Sequence, residues 1–449
     1  MSKNFIQVSG TQFIKDGSPM LFRGMGIGSW LNLEHFMIGI PTPDNQIRSS
    51  VTDCFGKETA NQFFDLFIRN FITEKDFSFL KSCGVNVVRV PFNYRLFIDD
   101  EHPEHYKKEG LLYFEYLLDL CEKYQIYLLP DLHTVPGGQN PDWHSDNNTG
   151  IPQFWHYKVF RNQIVELWKY IASHCSRYEY LLGYDLLNEP YLIDAPDILT
   201  DFYKDVTKAI RSVDPDHIIF LEGDHFAMQF DCIHEITDAN TALTFHYYPT
   251  VWEPELFSTS YDKEARCAKF KEILDRIASI RTTFHRPVLC GEAGYDIDPE
   301  NLSHTIELLE ETLTMFNDAD ISWTLWCYKD AQFMGMVYPQ SDSPWMQLVK
   351  SVHRSWTHYK EMHQADELMD TICTYPEFRH ASKELKYFMQ FRQRGILYRF
   401  QRECILSPLL KSYAKEEFLK LPESFLFDNC DYYHDYAALI KRMTGVNTK

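Results

Sequence analysis

No apolar run in this chain approaches the roughly 18 residues that a membrane-spanning helix requires. Residues Met1–Gln12 lack the apolar core of a secretory leader, so the expectation is a protein of the cytoplasm. There is no Lys/Arg block, and 44 basic residues face 64 acidic ones for a net charge of −20. Such a surface repels phosphate backbones and anionic lipids, so neither nucleic acid nor membrane is an expected partner. No CxxC occurs, and the closest two of the eleven cysteines are Cys267 and Cys290. That spacing excludes a disulfide framework or a zinc ribbon and points to buried, reduced thiols. A Gly-rich dinucleotide turn is also missing. Gly24-Met25-Gly26-Ile27-Gly28 does not have the GxGxxG spacing and opens no helical pattern. No cofactor and no metal are expected.

What the chain does have is alternation. Eight short β-type runs are separated by amphipathic helical stretches: Met20–Gly26, Asn86–Pro91, Ile126–Asp131, Leu181–Leu187, His217–Glu222, Ala242–His246, Pro287–Glu292 and Ser322–Trp326. Several, such as Ile126-Tyr127-Leu128-Leu129, are continuously apolar, as parallel strands covered on both faces must be. Helical patterns follow at 74–80 behind the N-cap Thr73, and at 111–124, 159–173, 198–213, 263–280 and 302–316, with a weaker one at 229–238. Eight strands without a dinucleotide turn favour a closed (β/α)8 TIM barrel over an open doubly wound sheet. Residues 28–72 and 133–156 are long βα-loop insertions. The expected division is a catalytic barrel over 1–360 and, over 361–449, a strandless C-terminal helical extension packed on the barrel or forming a small module.

In such a barrel the C-terminal strand ends face one mouth, and polar residues there require an explanation. Six strands deliver them: Arg89, His133, Asn188-Glu189, His246 with Tyr248, Glu292 and Trp326. Two carboxyl groups from opposite sides of a barrel, Glu189 and Glu292, are what glycosidic cleavage needs. One protonates the leaving oxygen; the other attacks the anomeric carbon or activates water. Arg89 and Asn188 suit an ionised carboxylate and a sugar hydroxyl. His133, His246 and Tyr248 suit hydrogen bonds to the carboxyls and the sugar, and Trp326 offers an apolar platform for a pyranose. Divergent environments would leave Glu189 neutral beside an ionised Glu292.

This set resembles glycoside hydrolase family 5, the cellulase-like branch of the retaining (β/α)8 hydrolases, over roughly residues 15–350. Asn188-Glu189-Pro190 and Gly291-Glu292 carry the resemblance, with Arg89, His133, His246, Tyr248 and Trp326 at its other hallmark positions. The resemblance implies retaining β-glycoside hydrolysis with Glu189 as acid/base and Glu292 as nucleophile. Trp30-Leu31-Asn32-Leu33-Glu34 and the stretch from Asp131 to Asn140 look like the exo-β-1,3-glucanase and β-glucosidase side of the family. There the glutamate binds the terminal sugar, a role the resemblance carries to Glu34; Trp30 and Asn140 lie in the same similar stretches and are further candidate substrate contacts, as is Trp143 beyond them, which reads equally as packing or platform. The chain departs from the pattern at Pro141-Asp142-Trp143-His144-Ser145-Asp146, near the acceptor side.

The reading is an exo-acting β-glucosidase on short oligosaccharides or on aryl and plant-type β-glycosides. An endo-acting β-glucanase, or removal of a disaccharide from a diglycoside, is the alternative. A non-catalytic sugar-binding barrel would be expected to lack one carboxylate, and a metal-dependent hydrolase to carry a clustered His pair at its first strand. Trp155 and Trp252 read equally as packing or platform, and Asp142, Asp146 and Asp330 as solvated loop charges.

Overall fold

The computed structural model describes residues 5–40, 42–192, 197–355, 372–376 and 379–446. Eight parallel strands close into a barrel: β1 (Arg23–Gly26), β2 (Val87–Asn93), β3 (Tyr127–Thr134), β4 (Gly183–Asp185), β5 (Ile218–Glu222), β6 (Thr241–Tyr247), β7 (Val288–Ala293) and β8 (Ser322–Leu325). Each pairs in parallel with its sequence neighbours, and β8 returns to β1 through Trp323↔Arg23. All eight anticipated strands are present. The first is shorter than its apolar run, because Ser18–Met20 instead joins an antiparallel three-stranded sheet with Gln7–Ser9 and Gln12–Lys15. That sheet closes the N-terminal end of the barrel, where Phe13 packs on Phe22 and Phe220.

The long helices follow the apolar periodicity: Glu74–Ser82, Glu109–Tyr124, Lys158–Cys175, Ile198–Arg211, Lys263–Ala278 and Leu302–Asp318. Thr73 caps the first of these, with Asp76 Oδ2 accepting its backbone N–H at 2.8 Å. Residues 229–238 form no helix. The chain makes only a short turn at Asp224–Ala227 and then runs extended, because Asp224 spends its side chain on the backbone N–H groups of Leu192 and His225.

The insertion after β1 folds as a short helix, His35–Ile38, and two longer ones, Asp44–Phe55 and Lys57–Phe71, hinged at Gly56. Phe63, Phe67 and Phe71 recur at helical spacing, and their buried face meets the C-terminal residues. Phe418 stacks on Phe55 and Phe63, and Phe425 packs on Phe67 and Phe71. Buried Lys329 ties the three parts together, pairing with Asp76 and donating to the carbonyls of Phe71 and Phe425 at 2.7 and 2.9 Å. The tail is mostly helical (Ser382–Gln401, Lys415–Phe418, His434–Thr444) but not strandless: Cys430–Tyr432 pairs antiparallel with Val337–Pro339. The expected division at 360/361 lies outside the described residues.

Candidate active site

Arg89 sits midway along β2, and its guanidinium fills the barrel beneath the mouth with no exposure to solvent. It donates to Asp185 Oδ2 at 2.9 Å, Glu222 Oε1 at 2.9 Å, Asn188 Oδ1 at 2.9 Å and Glu292 Oε1 at 2.7 Å, and lies 3.1 Å from Asp131 Oδ2. One cation from one strand thus fixes carboxyl groups from four others. Buried charge is tolerable only when paired in this way. Burial and the neighbouring Glu222 still push the Asp185 carboxyl well above the usual range, against the pull of Arg89.

Glu292 closes the last turn of β7. Arg89 Nη1 reaches one of its oxygens, and the Tyr248 hydroxyl donates to the other at 2.9 Å. Both oxygens are therefore held, and the carboxyl group has a single aim. Glu189 follows β4 in a left-handed conformation, φ +47°, which costs a residue with a Cβ on the order of 1 kcal/mol or more. Glu222 holds that backbone by accepting the Glu189 N–H at 2.7 Å. The Glu189 carboxyl lies between two imidazoles, with His246 Nδ1 2.6 Å from Oε1 and His144 Nε2 2.8 Å from Oε2. Burial drives its pKa up, but His144 and His246 outweigh burial and hold it well below the ordinary carboxylate range. In return, and despite burial, His144 is raised by Glu189 and Asp142, and His246 strongly by Glu292, Glu222 and Glu189. The two imidazoles therefore favour the ionised form of Glu189 in the free site, where the sequence pointed to a neutral acid.

Glu34 projects from the β1 insertion and is buried, 3.3 Å from His133 Nε2. Among the described residues no arginine pairs with it, and although its backbone begins the helix His35–Ile38, its side chain caps nothing. The contact with His133 is from Oε1 and lacks hydrogen-bond geometry, leaving the oxygen ion-paired but without a hydrogen bond, and burial raises the Glu34 pKa against the pull of His133. Asp131 accepts from the other face of His133 at 2.7 Å, and despite burial the two acids raise that imidazole to about 10. Trp326 lies parallel to the His133 ring, interplanar angle 4°. It can lie there only because Gly26 and Gly28 carry no side chain: a Cβ would sit 2.7 and 2.5 Å from the indole.

Two of the expected contacts are corrected. Trp30 is buried in the insertion's own core with its indole N–H on the Ile68 carbonyl, so it builds the wall rather than touching the cleft. Asn140 spends its amide on the Glu189 carbonyl, His144 and the Asp142 N–H; it positions the loop. Trp143 stays partly exposed, packed on His35 and Phe36. Trp155 is packing, its indole donating to the Gln139 carbonyl, and Trp252 packs on Tyr247. Asp142 is half-buried against Arg394, Asp146 is buried and paired with Arg95, and Asp330 is buried and receives the N–H groups of Phe333 and Met334. None is a solvated loop charge.

Asp131, Asp185, Glu222 and His144 were not anticipated. The signal for the three acids was their place at the ends of otherwise apolar strands. Two groups among the described residues have metal-ligand spacing. Asp131, Asp185 and Glu222 close on Arg89, which already supplies the cation. Glu189, His246 and Glu292 each place one ligand atom within 4.8 Å of the others. That second trio brings together two carboxyl groups in different environments across a gap of one reacting bond, the arrangement acetal cleavage requires.

A family model described as Cellulase (glycosyl hydrolase family 5) matches residues 47–332. Among similar proteins, a β-xylosidase of Phanerodontia chrysosporium is 33% identical over 95% of this chain and 95% of its own. The glucan 1,3-β-glucosidase 2 of Wickerhamomyces anomalus is 28% identical over 58% of this chain and 64% of its own. Among solved structures, a hyperthermophilic endo-β-1,4-glucanase in complex with substrate superposes with a TM-score of 0.54 at 16% identity, over 73% of this chain and 96% of the other; at that identity the likeness is one of fold.

Proposed function

The chain belongs to glycosyl hydrolase family 5, and from that premise we propose that it is a retaining, exo-acting β-glycosidase that removes the terminal sugar from short β-glucosides. Glu292 attacks the anomeric carbon while Glu189 protonates the departing oxygen. The glycosyl–Glu292 ester is then hydrolysed by a water that Glu189 deprotonates, and the sugar leaves with its configuration kept. Supporting this reading, one oxygen of each carboxyl group lies within 4.8 Å of the other. Retaining enzymes hold the two groups about 5–5.5 Å apart, whereas inverting ones leave roughly 6.5–9.5 Å for a water.

The observation that carries exo action is Glu34. It is a buried carboxyl with an unsatisfied oxygen, set beside the Trp326 platform and His133. A terminal ring can offer it a free hydroxyl; an internal ring, substituted there, leaves a buried acceptor unpaired. Aryl and plant-type β-glycosides fit the same site. The eleven free thiols support placing the activity in the cytoplasm.

One observation favours a second glycone: the relative matched over 95% of the chain is named a β-xylosidase. Hydrolysis of 4-nitrophenyl β-glucoside, β-xyloside and β-galactoside, with laminari-, cello- and xylo-oligosaccharides, tests the reading. Monosaccharide released one unit at a time is the expected result. Release of mid-chain fragments, or a rapid viscosity drop with few new reducing ends, overturns exo action.

A further inference from the structure

From the placement of the C-terminal helix Ser382–Gln401 we infer that it builds the wall of the leaving-group subsite, and that this subsite takes a planar, apolar ring rather than a second sugar. The inference rests on the assignment of Glu189 to the leaving oxygen. An aglycone must then extend past the residues flanking Glu189, away from Glu34.

Those flanking residues are aromatic. Tyr191, two positions after Glu189, packs on Phe226 with ring centroids 5.1 Å apart, and Phe226 in turn faces His144 at 6.0 Å. Phe226 is held there by three consecutive left-handed residues, His225, Phe226 and Ala227, with φ between +53° and +62°. Its N–H is anchored to the Pro190 carbonyl at 3.2 Å. Side chains with a Cβ adopt such a run only when the surrounding structure imposes it, and such strain gathers at functional sites.

The tail completes the wall. Tyr387 and Phe388 bring their rings within 6.2 and 6.1 Å of Tyr191, and both remain half-buried, with ring surface left to offer. Burial and the nearby Tyr191, Asp142 and Glu189 raise the Tyr387 hydroxyl, so the helix lies within the field of the acid/base. The helix is seated on the insertion 133–156 at backbone distance. A Cβ on Gly395 would lie 2.3 Å from the Asn148 carbonyl, and one on Gly150 2.7 Å from the backbone of Phe391 and Arg392. Arg394 pairs with Asp142 at the rim at 3.4 Å. Four rings, Tyr191, Phe226, Tyr387 and Phe388, line this side, and such faces hold a flat apolar group by stacking, which a hydroxyl-covered sugar matches less well.

The test uses the full chain with Tyr387→Ala, Phe388→Ala and the conservative Tyr387→Phe. On 4-methylumbelliferyl β-glucoside, KM is expected to rise roughly tenfold in the alanine variants, with Tyr387→Phe near wild type. KM for methyl β-glucoside and inhibition by glucose, which report the sugar side alone, are expected to stay within about twofold. Titration with free 4-methylumbelliferone reads the wall without turnover, and its binding is expected to weaken in parallel. Equal losses on both glucosides, no change on either, or wild-type protein that does not bind the free phenol overturns the inference. Binding of the phenol in the absence of any β-glycoside hydrolysis would overturn the proposed activity while leaving the wall in place.

Discussion

Replacing His144 with Asn is expected to move the alkaline limb of the pH–rate profile to lower pH. Glu189, His144 and His246 share protons across contacts of 2.6 and 2.8 Å, so their titrations belong to the cluster. The form that cleaves carries one proton on the Glu189–His144 pair, whichever member holds it at rest. In the wild type that proton is lost from His144, whose pKa is raised above the ordinary imidazole value by Glu189 despite burial. The other charged or titratable groups around it are Asp142, His133, Glu34 and His35. In the variant the proton must stay on Glu189 itself, which His246 continues to hold down. A charge-assisted hydrogen bond contributes about 1.5–3 kcal/mol, so the limb falls by roughly 1–2 pK units. The assay is kcat/KM against pH on aryl β-glucosides with good and poor leaving groups. The shift should appear with the poor leaving group and shrink with the good one, which needs less acid help. Superimposable profiles for wild type and variant would refute the shared-proton cluster.

Glu34→Gln should lower kcat/KM by about 10- to 150-fold, the loss of a charged hydrogen bond, with little change in Tm, because relief of a buried, poorly partnered carboxylate offsets the loss of its pairing with His133; kinetics and calorimetry check the two halves. Arg89→Met leaves Asp131, Asp185, Glu222 and Glu292 without their shared cation, at a cost of about 3–5 kcal/mol at neutral pH. Asp185, already raised by burial and Glu222, then loses the pull of Arg89, so urea stability of this variant should improve as the pH falls toward 5, and a loss independent of pH would contradict it. Gly28→Ala, whose Cβ would stand 2.5 Å from Trp326, should displace the platform and cut activity on every substrate at least tenfold, measured as kcat/KM against Tm.

The barrel was legible because its eight strands are apolar on both faces, a pattern that local sequence carries by itself. The mouth was legible wherever a polar residue ends such a strand, as with Glu189, His246 and Glu292, and from Arg89, a lone cation inside one. What escaped depends on chain segments far apart in sequence. His144 lies on an irregular loop and gains its role only when that loop folds back over Glu189. Trp30 looked like a site aromatic, but the helix Lys57–Phe71 offers its indole the Ile68 carbonyl. Residues 229–238 form no helix, and just before them the strained turn at 224–227 presents Phe226, a tertiary demand that local sequence does not carry. Tail residues 381–394 read as helical, yet nothing local places Tyr387 beside a residue two positions from Glu189.

The central claim is that Glu189 and Glu292 act as a retaining pair, and the stereochemistry of the first-formed sugar tests it most directly. Proton NMR during rapid hydrolysis of an aryl β-glucoside, before mutarotation, should show the β-anomer accumulating first, and Glu292→Gln should abolish the signal. Initial accumulation of the α-anomer would contradict the account.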